Sequence, residues 1–178
     1  MEKNRKQLRL RHFDYGNPGA YYITICTHER KRFLSRIENE CVHLTNFGKI
    51  VNEELLKTVE MREYLLVDAF VIMPNHLHAI LFFHDRAAAP LSADHDTGAR
   101  SFGGSQRHSL SSVIANFKAA ATNRIRKETG KKEAIIWQKG FYEHIIRDEK
   151  DPLRIRDYIL SNPLNWSIDE ENPDRKEA

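Results

Sequence analysis

Hydrophobic and polar positions follow two rhythms along this chain, and the switches between them predict alternating strands and helices. Ala20–Thr27 (AYYITICT) is β-branched and aromatic and follows the turn signal Gly16-Asn17-Pro18-Gly19, so it predicts a strand. After Thr45-Asn46-Phe47-Gly48, apolar residues recur at Ile50, Val51, Leu55 and Val59, which is helical spacing. Tyr64–Met73 and His76–Phe83 are strand-like runs split by Pro74-Asn75, which predicts a hairpin. From Ser109 to about Lys127, the residues Leu110, Val113, Ile114, Phe117, Ala121 and Ile125 form one helical stripe that stops before Gly130. Ala134–Trp137 and Glu143–Arg147 read as short strands, and Asp148 is placed to cap a last helix running to about Ser161, ended by Pro163. The order β-α-β-β-α-β-α predicts an α+β sandwich with a largely antiparallel sheet.

Length and composition narrow the class. At 178 residues and 40% apolar content the chain fits one domain with a real core. No apolar run is long enough to cross a membrane, and the basic start MEKNRKQLRLRHF has no apolar segment after it. A soluble, cytoplasmic protein without a membrane partner is expected. Residues 86–108 (RAAAPLSADHDTGARSFGGSQRH) lack apolar periodicity and read as a flexible internal loop. Cys26 and Cys41 have no metal-binding spacing and read as two reduced, buried thiols.

The net charge of +3 conceals an uneven distribution. Residues 1–12 hold Lys3, Arg5, Lys6, Arg9 and Arg11 against Glu2, a basic arm. Residues 167–178 hold five carboxylates against Arg175 and Lys176, an acidic tail. A basic body with an acidic end suits a polyanion partner, although charge runs also occur simply as solvated surface.

Two constellations can carry chemistry. His76-Leu77-His78 lies within a predicted strand, where period 2 puts both imidazoles on one face and Leu77, Ala79 and Leu81 on the other. Two imidazoles one strand repeat apart can chelate a metal ion; equally, they can be a pair of sheet-surface histidines. In Tyr158-Ile159-Leu160-Ser161-Asn162, helical spacing aligns the Tyr158 hydroxyl with the Asn162 amide, opposite a core stripe of Ile155, Ile159 and Leu160. Alone, this too has a bland reading, an amphipathic tyrosine followed by a helix terminator. Together the two are more specific. Tyrosine can act as a covalent nucleophile toward phosphorus, and a metal held by His76 and His78 polarises the phosphate, with an Asn162 oxygen completing the ligand set. Imidazole favours transition ions whereas phosphate chemistry commonly uses Mg²⁺ or Mn²⁺, so ligand type leaves the divalent metal open.

The segment VDAFVIMPNHLHAILFF, a Pro-Asn turn running into His-x-His, resembles the HUH motif of single-strand-specific tyrosine transposases. The resemblance continues in YYITICTHERKRFL, LSSVIANFKAAATNRIRK, IIWQKGFYEHIIRDEKD and RDYILSNPLNW, and covers roughly residues 10–166. The tyrosine motif, Tyr-x-x-x-Asn followed by Pro, is similar to that of the REP-associated tyrosine transposases; relatives in mobile insertion sequences more often carry Gln in place of Asn162. What the resemblance implies is a ferredoxin-like α+β sandwich, the HUH endonuclease fold, with a central antiparallel sheet flanked by helices. It also implies ATP-independent cleavage and rejoining of single-stranded hairpin DNA from repetitive palindromes. Tyr158 would form a 5′-phosphotyrosine and free a 3′-OH, with the divalent metal on His76, His78 and Asn162. The resemblance leaves monomer and homodimer both open.

Other residues have two readings each. Lys118, Arg124, Arg126 and Lys127, with the basic arm, can line a DNA phosphate track or simply form the polar face of a helix and a solvated end. Trp137, Phe141 and Trp166 can stack on bases or pack in the core. Tyr21, Tyr22 and Tyr142 read as strand and core residues rather than rival nucleophiles. Two rival functions compete with the transposase reading: a domesticated hairpin-binding protein that no longer cuts, and a phosphodiesterase without a covalent step. The second of these usually needs two His-x-Ser/Thr elements, which the single His-x-His does not supply.

Overall fold

The computed structural model describes residues 18–84, 108–147 and 151–175. The basic arm (Lys3, Arg5, Lys6, Arg9, Arg11), nearly all of the 86–108 segment and the Asp148 cap lie outside the described residues. Strand β1 (Gly19–Cys26) is followed by a small hairpin of β2 (Ser35–Glu38) and β3 (Cys41–Leu44), then α1 (Asn46–Glu60). Next come β4 (Leu65–Ile72), β5 (His76–Phe83), α2 (Leu110–Thr129), β6 (Tyr142–Ile146) and α3 (Asp151–Ser161). The main sheet is antiparallel in the order β4-β5-β1-β6, so the expected α+β sandwich is observed.

Each face of this sheet is covered, as its burial pattern requires. Leu77, Ala79, Leu81 and Phe83 of β5 pack with Tyr21, Ile23 and Ile25 of β1 beneath the apolar stripes of α1 and α2. That stripe on α2 is the one legible in the sequence, Leu110 to Ile125. On the opposite face, Ile80, Ala20 and Ile146 receive Ile159 of α3, with Tyr22, Val71 and Ile155 around them. Leu160, expected in that stripe, is 64% exposed and turned to solvent.

Local chemistry sets the joints. Thr45 caps α1: its Oγ1 accepts from the Gly48 N–H at 3.1 Å and donates to the Phe33 carbonyl at 2.6 Å. Gly130, at φ 68°, ends α2 in the left-handed conformation that glycine adopts without a Cβ penalty. A bulge between Val67 and Ala69 takes Asp68 out of register, and Asp68 grips Arg156 of α3, with Nε at 2.9 Å from Oδ2.

One element was not predicted and two expectations need correction. The β2–β3 hairpin has only four residues in each strand and is largely exposed, so it offers no apolar run to read. Ala134–Trp137 is not a strand; only an isolated bridge joins Trp137 to Thr27, because that stretch runs over the end of the sheet. Cys41 is exposed on β3, while Cys26 is buried at the end of β1, and neither is in a disulfide.

Gly48 is the tightest point. A Cβ there would stand 2.0 Å from the Leu34 carbonyl oxygen, a backbone atom that also accepts from Thr45 N. Gly48→Ala is therefore expected to destabilise the protein by roughly 2–4 kcal/mol. By contrast, Gly130→Ala meets no neighbour within 4 Å and is expected to cost about 1 kcal/mol from backbone strain alone. Urea denaturation of the two variants checks the order.

Candidate active site

Pairing of β1 with β5 sets Thr24 opposite His78 and Cys26 opposite His76, on the face that α3 covers. Both histidines are buried, at 0% and 2% exposure, with ring centroids 4.4 Å apart. Each ring is oriented from behind. His76 Nδ1 lies 2.9 Å from Asn75 Oδ1, an atom that can only accept, so Nδ1 carries the proton and Nε2 keeps its lone pair. His78 Nδ1 lies 2.9 Å from Thr24 Oγ1 and 2.8 Å from the Tyr22 hydroxyl, and Thr24 Oγ1 donates to that hydroxyl at 3.3 Å. Hydrogen-bonded back atoms and free Nε2 atoms are how metal-ligating histidines are held.

The chain after α3 closes the other side. Asn162 sits in the turn that follows Ser161 and is 1% exposed. Its Nδ2 donates to Asp169 Oδ2 at 3.0 Å, which turns Oδ1 toward the histidines. His76 Nε2, His78 Nε2 and Asn162 Oδ1 are all buried, and none has a hydrogen-bond partner among the described residues. An unpaired buried polar atom costs about 1–3 kcal/mol, so three converging in one place require a ligand or a function to explain them. Asp169 is also buried, and one of its carboxylate oxygens lies within 4.8 Å of ligand atoms of both histidines.

These residues fit a divalent cation. Burial pushes both imidazoles down to about 3, with the Arg30 charge acting further on His76 and His76 on His78. At neutral pH both are therefore unprotonated, as metal ligation requires. Two neutral imidazoles, an amide oxygen and a carboxylate make an N₂O₂ donor set, acceptable to first-row divalent ions.

Tyr158 is brought to this place by the same chain. It is 46% exposed, and its ring lies 5.5 Å from that of His78 and 6.3 Å, edge-on, from that of Tyr22. Partial burial and the nearby Asp169 charge raise its pKa, while hydrogen bonds from Asn162 and Tyr22 work in the opposite direction. Tyr22, held far above the ordinary tyrosine range mainly by burial, stays a phenol and so remains a donor.

No family model matches the chain. A Haemophilus influenzae protein of uncharacterised function is 34% identical over 170 residues, spanning 94% of this chain and 92% of its own length. A second protein from that organism, provisionally named a REP-associated tyrosine transposase, is 26% identical over 159 residues, 85% of this chain and 73% of its own. A solved structure, described as the REP-associated tyrosine transposase bound to a REP hairpin, has the same fold: TM-score 0.58 at 22% identity, spanning 89% of this chain and 73% of that one. The chain is thus similar in sequence to a protein named as a REP-associated tyrosine transposase and shares the fold of another.

The residues singled out in the sequence separate into two groups. His76, His78, Asn162 and Tyr158 converge, and Trp166 joins them, its ring 6.1 Å from that of His76. The α2 cations lie elsewhere and have protein partners. Lys118 Nζ donates to the Gln138 and Gly140 carbonyls, Arg124 bridges Glu53 and Glu54, and Arg126 Nε donates to the Ala134 carbonyl. Lys127 is exposed. Trp137 is in the core, with Nε1 donating to the Lys118 carbonyl.

Asn75, Tyr22, Thr24 and Asp169 belong to the site and are not among the residues singled out for it in the sequence. Asn75 reads as a turn residue and Asp169 as part of an acidic tail; only the position of Asn75 directly before His-x-His hinted at more. The tail expectation changes accordingly: residues 167–175 fold back over the sheet end, with Asp169 and Asn172 buried.

The buried histidines also give a pH signature. Their folded pKa values are depressed, so the unfolded chain takes up protons near pH 6.5 that the folded site refuses. Metal-free protein is expected to lose about 1 kcal/mol of stability per histidine for each pH unit below about 6. The double variant His76→Gln/His78→Gln is expected to lose that part of the slope, measured by urea denaturation between pH 7 and 5 in EDTA.

Proposed function

We propose that this chain is a metal-dependent tyrosine endonuclease and strand transferase acting on single-stranded DNA with hairpin structure. One observation carries the reading: three unpartnered, buried ligand atoms on His76, His78 and Asn162 beside the half-exposed Tyr158. A REP hairpin bound to the related transposase supports the choice of substrate.

Each residue has a part. Tyr158 faces solvent enough for a strand to reach it, and the Asn162 and Tyr22 side chains partly offset the burial and the Asp169 charge that raise its pKa. A divalent cation, Mg²⁺ or Mn²⁺, held by His76, His78, Asn162 and Asp169, supplies Lewis-acid polarisation of the scissile phosphate. The Tyr158 oxygen forms the bond to phosphorus as the bond to the 3′ oxygen breaks. That oxygen leaves with the electron pair and takes up a proton, while the phenolic proton is released. The products are a 5′-phosphotyrosine and a 3′-OH, and attack by a 3′-OH on the adduct rejoins strands.

With a labelled palindromic single strand and Mn²⁺ or Mg²⁺, a protein-linked band is expected on a denaturing gel. Tyr158→Phe is expected to remove it completely, and His76→Gln to reduce it by at least about a hundredfold. Binding without any adduct across metals and palindromes would instead favour the non-cleaving hairpin-binding protein. Cleavage without protein-linked DNA would overturn Tyr158 as nucleophile.

A further inference from the structure

The segment after β1 has an unusual backbone. Glu29 and Arg30 both have left-handed φ, 53° and 52°, although neither is glycine. Such residues cost on the order of 1–2 kcal/mol each and persist only where surrounding bonds fix them. Here they are fixed: Thr27 N and Oγ1 both donate to the Asn75 carbonyl at 2.9 and 3.0 Å, and Arg30 N donates to the Thr27 carbonyl. The strained turn is therefore clamped to the residue that orients His76, and it brings Arg30 to Glu171, whose carbonyl that same Asn75 binds. The guanidinium charge is felt at His76.

The partner of Arg30 is not part of the sheet. Its guanidinium is paired with the Glu171 carboxylate and donates to the Glu170 carbonyl. Glu171 also accepts from Cys26 Sγ at 3.3 Å, and its carbonyl accepts from Asn75 Nδ2 at 2.7 Å. Two residues earlier, Asp169 presents its carboxylate to the histidines. One short stretch thus sets an anion at the histidine pair and a second anion at the neighbouring cation, which is the charge pattern of a sugar-phosphate backbone.

We infer that Arg30 is a phosphodiester-binding residue beside the histidine cluster, and that the Glu171 carboxylate stands where a phosphate of the substrate strand binds. This rests on the proposed single-stranded DNA substrate and names a contact for it. Charge-assisted guanidinium–phosphate bonds are short and directional, so the pairing fixes strand register as well as affinity.

A fluorescein-labelled single-stranded hairpin oligonucleotide, titrated with the full chain in EDTA over a salt series, reads this directly by anisotropy. Arg30→Gln is expected to weaken binding about tenfold and to reduce the slope of log affinity against log salt by roughly 0.7. Glu171→Gln, which removes the competing charge and keeps the shape, is expected to bind several-fold tighter. A purely structural ion pair predicts otherwise, since breaking it from either side frees the same segment: both variants shifting in the same direction overturns the assignment. So does an Arg30→Gln protein with the wild-type salt slope. Should Arg30→Gln melt early, Arg30→Lys decides: a restored slope supports the phosphate contact, and a slope like that of Arg30→Gln overturns it. No binding by the wild type overturns the substrate reading itself; wild-type binding with Arg30→Gln unchanged overturns only the role of Arg30.

Discussion

The antiparallel pairing of β1 with β5 is the constraint on which the site depends. Its register puts Thr24 against His78 and brings Tyr22 diagonally within reach of the same ring, while the turn before β5 delivers Asn75 to His76. His76 therefore has its proton fixed on the far nitrogen, His78 is held from behind by two hydroxyls, and both rings keep an unpartnered Nε2. A one-residue slip would send both histidines to the core face and Leu77 and Ala79 to the site. The apolar alternation of β5 prevents that slip, because Leu77, Ala79 and Leu81 have no other place beneath α1 and α2.

Helix α3 supplies the second half, and its placement has separate causes. Ile159 is buried on the histidine face of the sheet, and Arg156 is held by the Asp68 that the β4 bulge displaces. These two anchors fix the rotation of the helix. As a consequence Tyr158 is left half in solvent above His78, and the chain leaves the helix with Asn162 pointing inward. Tyr158 and Asn162 come from one short segment, so anything that shifts α3 moves both together.

Electrostatics bind the site and the segment after it. Asp169 lowers the tendency of Tyr158 to ionise and fixes the Asn162 amide, while Glu171 neutralises Arg30. Without that carboxylate the Arg30 guanidinium would be left uncompensated. With the acidic segment folded in, positive and negative groups are matched within the one chain.

Local pattern in the sequence was enough for the main strands, the three long helices and the antiparallel hairpin, since period 2 and period 3.6 are properties of neighbouring residues. It was enough too for His76, His78, Tyr158 and Asn162, because each pair sits at a spacing that its own strand or helix converts into a shared face. The β2–β3 hairpin escaped because its short, largely exposed strands offer no apolar run to read. Thr24, Tyr22 and Asp169 escaped for a different reason: each acts through a residue that the fold, not the local chain, brings near, whereas Asn75 adjoins His76 but reads as a turn residue. Asn162 and Asp169 are seven residues apart across a turn, and Thr24 and His78 are 54 apart across a sheet. The sequence alone singled out His76, His78, Asn162 and Tyr158 as candidates, by residue type and spacing. Only the tertiary structure decided which of their atoms are left without partners, because burial and pairing are properties of the packed chain.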